Sequence, residues 1–124
     1  MADTAAAYGV VAGRRDGYPG CWCDPNGPAP RKLGALGLRI ERGVTYHGIA
    51  LNVTTDLRDF GLIDPCGMPG VTVTSIAREG RWPADDASPS TESVEAAASL
   101  FADALERRLA PTQDDATPVL ARTA

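Results

Sequence analysis

The sequence predicts an α+β domain built from a central β-hairpin, shorter strands and one long C-terminal helix. Residues 33 to 53 are rich in apolar and β-branched side chains and are interrupted by Arg42-Gly43, which indicates a two-residue hairpin turn. Toward the C-terminus, apolar residues recur at helical spacing behind a Ser/Thr/Glu start, which predicts an amphipathic helix from about Thr91 to Leu109. Strands followed by a separate helix are typical of the α+β class.

The segments outside the hairpin and the long helix are shorter. Residues 1 to 15 contain a possible strand or helix end at YGVVAG, and residues 21 to 23 can form a brief strand between prolines and glycines. Residues 54 to 70 are predicted to be a loop, and VTVTSIA is either a strand or the start of a short helix. EGRWPADDASPS has the composition of a linker, and residues 110 to 124 are predicted to be a disordered tail.

Length and charge limit the class of protein. The 124 residues have room for one domain with one modest core. Lys plus Arg number 12 against 16 Asp plus Glu, a net charge of −4, which disfavours nucleic acid and anionic membranes as partners. The sequence shows no apolar run of transmembrane length and no signal-peptide pattern, so we expect a cytoplasmic protein. Three cysteines, an odd number, fit a reducing compartment.

The hairpin turn also predicts which residues face each other. Counting back from Arg42-Gly43 places four small residues on one face, as two cross-strand pairs: Gly37 opposite Gly48 and Ala35 opposite Ala50. Glycine weakens a strand interior, so this pattern indicates that a ligand chain or another backbone occupies the space. Close packing of a helix over the same face is the alternative interpretation, and a three-residue turn would break the coincidence.

Cys66 is the candidate nucleophile. It lies between Pro65 and Gly67 in LIDPCGMPG, a turn setting that exposes a thiol instead of packing it in a core. The hairpin register places Lys32 opposite Val53, at the open end from which the Cys66 loop leaves. A lysine ammonium near a thiol favours the thiolate, and the N–H groups of a Pro-Cys-Gly turn can hold an oxyanion. The alternative is a solvated lysine and an incidental thiol.

Parts of the sequence suggest three further chemistries. Cys21 and Cys23 flank Trp22 and could join His47 around zinc, but there is no fourth ligand at a usual spacing, and we predict no metal. His47 is a second candidate base for Cys66, with a structural histidine as its alternative. CDPNGPAP lacks a phosphate-loop pattern, which disfavours a nucleotide-using ligase.

The motifs, taken together, resemble a known family. RKLGALGLRIERGVTYHGIALNV, followed by DLRDFGLIDPCGMPGVTVTSIARE, resembles the C-terminal half of the lipoate-biosynthesis octanoyltransferases, or lipoyl(octanoyl) transferases. The shared features are a lysine, a small-hydrophobic-Gly strand, R-G-x-T-x-H-G-x-A-L-N, P-C-G and T-S, in this order. PGCWC resembles the P-G-V-W-V strand of that family, and the resemblance covers about residues 8 to 109.

The resemblance implies a fold and a domain boundary. The expected fold is a mixed β-sheet with flanking helices of the biotin/lipoate protein ligase-like type. Residues 1 to 109 would form the C-terminal part of one catalytic domain. The R-G-G-x-x-T-x-H-G-P-G-Q motif of the family's N-terminal half has no counterpart here, so a truncated member is expected.

The resemblance also implies an activity. Cys66 would accept an octanoyl group from octanoyl-acyl-carrier protein as an acyl-thioester, and Lys32 would lower the pKa of Cys66. The acceptor would be a lysine on a lipoyl domain of a 2-oxoacid dehydrogenase complex or on the glycine-cleavage H protein. The donor thioester is already activated, so no cofactor or metal is implied. The acyl chain would lie against two short segments, Ala35, Leu36, Gly37 and Gly48, Ile49, Ala50. The alternative is an inactive fragment that serves only as a binding or structural remnant.

Overall fold

One antiparallel sheet of four strands, in the order β1-β2-β3-β4, organises the chain in the computed structural model, which describes residues 1–63, 70–80 and 91–110. The strands are Ala12–Arg15 (β1), Tyr18–Cys23 (β2), Arg31–Glu41 (β3) and Val44–Leu51 (β4). The helices are Ala2–Ala7 (α1), the single turn Ile76–Glu79 (α2) and Thr91–Leu109 (α3), with a 3-10 helix at Leu57–Leu62. The predicted α+β class, with helices flanking a sheet, is confirmed.

Three of the sequence predictions fall outside these ranges. Cys66 lies in 64–69, most of the predicted linker lies in 81–90, and the predicted tail lies in 111–124 apart from Ala110. These three remain predictions.

The Arg42-Gly43 turn sets the hairpin in the predicted register. Both turn residues have positive φ, 53° and 79°, which is the left-handed conformation that a two-residue hairpin turn requires. From this turn the β3–β4 pairing runs without a break to Gly34 opposite Leu51. The two predicted pairs of small residues are confirmed: Gly37 lies opposite Gly48, and Ala35 lies opposite Ala50.

The predicted position of Lys32 opposite Val53 is wrong. The antiparallel ladder ends at Gly34 and Leu51, and the place beside Lys32 is taken by Val73 in a parallel bridge. This bridge adds a parallel contact to the antiparallel sheet. The register count failed here because it used only the hairpin, whereas a segment about forty residues further along the chain occupies this edge.

Backbone hydrogen bonds hold that segment along β3. The Lys32 N–H donates to the Thr72 carbonyl oxygen at 2.8 Å, and the Thr74 N–H donates to the Lys32 carbonyl oxygen at 2.9 Å. The Asn52 side-chain amide donates to the Thr74 carbonyl oxygen at 3.0 Å. The VTVTSIA stretch is therefore extended at Val73 and becomes helical at α2, so both predicted alternatives occur in succession.

The core lies between one face of the sheet and the helices. Its buried cluster consists of small and medium side chains: Ala5, Val10, Cys21, Cys23, Leu33, Val53, Ile76 and Ala97. Helix α3 begins and ends where the sequence predicts, but its buried stripe is narrow. Ala97 is buried, whereas Val94 and Leu109 are 44% and 72% exposed. None of the described helices has the length and apolar composition needed to cross a bilayer.

A charged pair ties β3 to α2. Arg31 donates from Nε and Nη2 to the two carboxylate oxygens of Glu79, at 2.6 and 2.9 Å. The hydroxyl of the fully buried Thr74 donates to the same carboxylate at 2.8 Å. The hydrogen bonds from Arg31 hold the pKa of Glu79 below its ordinary value of 4.5. These contacts fix the extended segment against the strand that carries Lys32.

We expect Glu79→Gln to lower the free energy of unfolding at neutral pH by about 1 to 3 kcal/mol, because it removes a bidentate, charge-assisted pair. A carboxyl with a lowered folded-state pKa contributes stability above its unfolded pKa and loses it as the pH falls through the folded value. Urea unfolding should therefore show that the difference in the free energy of unfolding between Glu79→Gln and the native chain decreases as the pH falls below about 4.5.

Asp56→Asn is the matched control for this substitution. It makes the same change of carboxylate to amide next to an arginine, Arg58, but in an exposed pair between residues two apart. It should change the free energy of unfolding little, because exposed ion pairs are screened by solvent. A difference for Glu79→Gln that persists unchanged into acid would show that its charge does not stabilise the fold.

Candidate active site

Lys32 is the only lysine in the chain, and it is buried. Its side chain is 2% exposed, and its Nζ has no hydrogen-bond partner among the residues that the structure describes. Lysine is almost never fully buried without a partner, because removing an ammonium from water is costly unless another group compensates. This unsatisfied amine marks the candidate site and requires an anionic or hydrogen-bond-accepting partner.

A β-bulge decides which face of the sheet Lys32 joins. Where β2 advances by one residue, β3 advances by two, from Lys32 to Gly34, so that Leu33 is an extra residue. Leu33 belongs to the core cluster, and a Cβ at Gly34 would lie 2.6 Å from Sδ of Met1, which packs against that cluster. Both residues of the bulge therefore face the core. Lys32, just before them, lies on the opposite face.

The four small residues lie on that same opposite face. Strand alternation continues from the bulge to Ala35 and Gly37, and the register adds Gly48 and Ala50. We call these four residues the small-residue face. No described residue comes within 4 Å of the position that a Cβ would take at Gly37 or Gly48. The face is therefore open in the described part of the chain, and no described helix covers these two glycines.

Leu36 and Ile49, the other two members of the predicted acyl-binding set, alternate to the core side of the sheet. Ile49 borders a cavity of about 200 Å³ between β4 and α3. The remaining lining residues are apolar: Leu51, Val53, Val94, Ala97, Ala98 and Phe101. The sheet separates this cavity from the face that Lys32 joins. The predicted set thus divides into four residues on the face that Lys32 joins and two on the core side.

Trp22 and Gly20 of β2 border the Lys32 side chain. The Lys32 Nζ lies 5.6 Å from the centroid of the Trp22 ring, and a Cβ at Gly20 would lie 3.1 Å from Lys32 Cε. Sequence reasoning assigned PGCWC only to a strand and missed this role. The available signal was a glycine two residues before a tryptophan in one short strand, which puts both on one face and indicates a close approach.

His47 is not among the residues around the amine. It pairs with Leu38, whose alternation belongs to the core side of β3, and its ring lies 5.0 Å from that of Tyr46. Its φ of 69° is uncommon for a residue other than glycine, and Gly48 follows with a φ of 143°. The role of His47 as a base for Cys66 remains a prediction.

The two described cysteines have a structural environment. Cys21 and Cys23 are buried in the core cluster. Burial raises the pKa of Cys21, and burial together with the nearby Glu79 carboxylate raises the pKa of Cys23 to about 11. Both thiols therefore stay protonated and unreactive near neutral pH. Within residues 1–63, 70–80 and 91–110, no three His, Cys, Asp or Glu side chains are grouped as a metal site requires.

These features define a class of protein: an α+β catalytic domain of the biotin/lipoate protein ligase-like type. Comparison with protein families agrees, since the lipoyl protein ligase A/B catalytic domain matches residues 1–100, and the chain belongs to this family. The resemblance predicted from the motifs is thereby confirmed.

Curated relatives narrow the likeness further. The chain is 49% identical over 81 residues to an octanoyltransferase of Desulfovibrio desulfuricans, which covers 65% of this chain and 32% of that protein. It is 42% identical over 108 residues to an octanoyltransferase of Thiobacillus denitrificans, a match that covers 86% of this chain and 43% of that protein. It is 40% identical over 77 residues to a probable octanoyltransferase of Pyrobaculum aerophilum, a match that covers 62% of this chain and 32% of that protein. The chain thus matches less than half of the length of these relatives.

We expect Cys66 to be the thiol that reacts first with iodoacetamide near neutral pH. Cys21 and Cys23 should stay unmodified in the folded chain because both are buried and have raised pKa values. Limited labelling followed by peptide mass spectrometry measures the order of reaction. Labelling in urea, where all three thiols should react alike, is the control. Equal rates in the folded chain would show that Cys66 is not activated.

Proposed function

We propose that this chain carries out octanoyl transfer in lipoate biosynthesis, with Cys66 as the nucleophile and Lys32 as its charge partner. The observation that carries the proposal is the buried Lys32 amine, which has no described partner and lies on the same face of the sheet as an open row of small residues. A thiolate supplies the anion that this amine requires. The octanoyltransferase relatives support the same class of reaction.

Chain connectivity supports the pairing of Cys66 with Lys32. Thr72 accepts a hydrogen bond from the Lys32 N–H, and Cys66 precedes Thr72 by only six residues. Six residues of extended chain span at most about 20 Å. Gly70 is closer still in sequence and borders the same surface cavity as Trp22, the residue next to the amine. This chain length allows Cys66 to reach Lys32, which supports the proposed pairing.

The proposed reaction has two acyl transfers. The Cys66 thiolate attacks the carbonyl carbon of the octanoyl thioester, the C–S bond to the carrier breaks, and the carrier departs as a thiol with the proton that Cys66 gave up. The ammonium of Lys32 stabilises the thiolate before attack and opposes the negative charge that develops on the carbonyl oxygen. The neutral amine of an acceptor lysine then attacks the carbonyl carbon of the new thioester, and the C–S bond to Cys66 breaks. The amide forms, the attacking nitrogen releases its proton to solvent, and the Cys66 thiolate is regenerated.

The small-residue face provides the place for the acyl chain. Because Gly37 and Gly48 lack side chains and the space above them is open, an alkyl chain can lie directly against the backbone of β3 and β4. Each methylene removed from water contributes about 0.8 kcal/mol, so several buried methylenes give useful affinity. Ala35 and Ala50 continue this surface in the direction of Lys32. In the proposed complex, the thioester end of the chain points toward the amine.

The proposed partners follow from this chemistry. The donor is an octanoyl group on an acyl-carrier protein, and the acceptor is a lysine on a lipoyl domain of a 2-oxoacid dehydrogenase complex or on the glycine-cleavage H protein. The thioester supplies the driving force, so the transfer consumes neither a nucleotide nor a metal ion. A cytoplasmic setting fits the three cysteines of the chain, since a reducing compartment keeps Cys66 as a free thiol.

Incubation with octanoyl-acyl-carrier protein tests the proposal. Intact mass measurement should show one octanoyl group added, and peptide mapping should place it on Cys66. Cys66→Ser should abolish the adduct, because a lysine alone does not generate an alkoxide at neutral pH. Bound but unreacted donor, with no adduct in the native chain, would contradict the proposal and favour a binding remnant.

Gly37→Val tests the position of the acyl chain in the same assay. Gly37 has open space above it and no left-handed backbone, so valine should fold into the strand while filling the small-residue face. We expect the rate of adduct formation to fall by at least about tenfold, since the chain would lose roughly two methylenes of contact. Thr45→Val, which places the same side chain on the other face of the hairpin, should leave the rate unchanged. If Gly37→Val and Thr45→Val form the adduct at the same rate, the acyl chain does not bind on the small-residue face.

A further inference from the structure

The aromatic ring of Trp22 lies close enough to compensate the Lys32 ammonium. The Nζ lies 5.6 Å from the ring centroid, within the range in which a cation is attracted to an indole face. No described hydrogen bond or ion pair competes with this contact. Trp22 is itself 2% exposed, so the ring provides a dry surface next to the amine.

The indole is held firmly in place. Its Nε1–H donates to the carbonyl oxygen of Tyr18 at 3.1 Å, and the two rings meet edge to face at 5.8 Å and 77°. The guanidinium of Arg15 lies over both rings, 4.5 Å from the Tyr18 centroid and 5.3 Å from that of Trp22. A ring anchored on several sides can determine where a flexible lysine side chain ends.

Gly20 keeps the path of the lysine side chain open. A Cβ at this position would collide with the Gly34 carbonyl oxygen and approach Lys32 Cε to 3.1 Å. Gly20 also has a φ of 123°, which residues with a side chain rarely adopt. Any other residue would therefore displace either the β3 backbone at the bulge or the lysine stem.

We propose that Trp22 is the positioning residue for Lys32, and that the cleft left by Gly20 lets the lysine stem reach the indole face. The ring attracts the ammonium without accepting any of its N–H groups, so all three donors stay available to the reacting sulfur and carbonyl oxygen. The use of these donors in acyl transfer rests on the proposed function. The placement of the amine by the indole does not.

A chain labelled with [ε-13C]lysine tests the placement directly. Because Lys32 is the only lysine, the spectrum contains one labelled methylene signal. Protons over an indole face are shielded, so this signal should lie upfield of free lysine in the native chain. Trp22→Leu should return it to the free-lysine position, Trp22→Phe should keep part of the displacement, and Gly20→Ala should shift it. Tyr18→Leu, which removes one ring that anchors the indole but keeps the indole itself, should move the signal less than Trp22→Leu does.

Two results would overturn the inference. One is a native signal at the free-lysine position or a signal unchanged by Trp22→Leu. The other applies if circular dichroism shows that Trp22→Leu does not fold. The Trp22→Phe variant is then measured instead, and a folded Trp22→Phe chain whose lysine signal lies at the free-lysine position rules out the aromatic contact.

The same variants can be tested in the octanoyl-adduct assay. Where octanoyl adducts form, Trp22→Leu should slow their formation about 2- to 30-fold, with partial recovery in Trp22→Phe. Shielding without any adduct would retain the positioning role and reject acyl transfer.

Discussion

The site depends on a one-residue offset between β2 and β3. In a regular strand, Lys32 would alternate with Leu33 and share a face with Gly34, so it would not join Ala35 and Gly37. The bulge turns both Leu33 and Gly34 toward the core and thereby brings the amine onto the small-residue face. Bulges commonly change the direction of a side chain near functional sites. Here the bulge places Lys32 on the small-residue face instead of the core face.

The bulge also explains why positions 20 and 34, which lie close to Lys32 and to the bulge backbone, are glycines. Gly34 approaches Met1 and the β4 backbone, while Gly20 approaches Gly34 and the lysine stem, so a Cβ at either would push the strands apart. The Arg31–Glu79 pair then fixes the segment after Cys66 against the same strand. The Lys32 amine, the small-residue face and the segment from Thr72 to Glu79 are therefore held by the same strand. The proposed active site needs preorganised support of this kind.

The sequence allowed the hairpin to be predicted in detail, since a two-residue turn fixes the pairing as far as the ladder runs, to Gly34 and Leu51. It did not allow the neighbour of Lys32 to be predicted. The bulge depends on how β2 meets β3, and the parallel bridge depends on Val73, so both are set by packing between distant segments. The Gly20–Trp22 spacing indicated a close approach on that face, but the residue that approaches it, Lys32, is set by how β2 pairs with β3. The α3 boundaries were predicted from local signals, whereas its narrow buried stripe reflects the neighbours it packs against.

The ultraviolet titration of the Cys66 thiolate tests the central claim most directly, in a chain whose Cys21 and Cys23 are replaced by alanine. If the Lys32 charge stabilises the thiolate, Lys32→Met should raise the measured pKa of Cys66 by about one unit or more. Lys32→Arg keeps the charge in a different geometry and should raise it less. An unchanged titration in Lys32→Met would show that the buried amine and the thiol do not act as a pair.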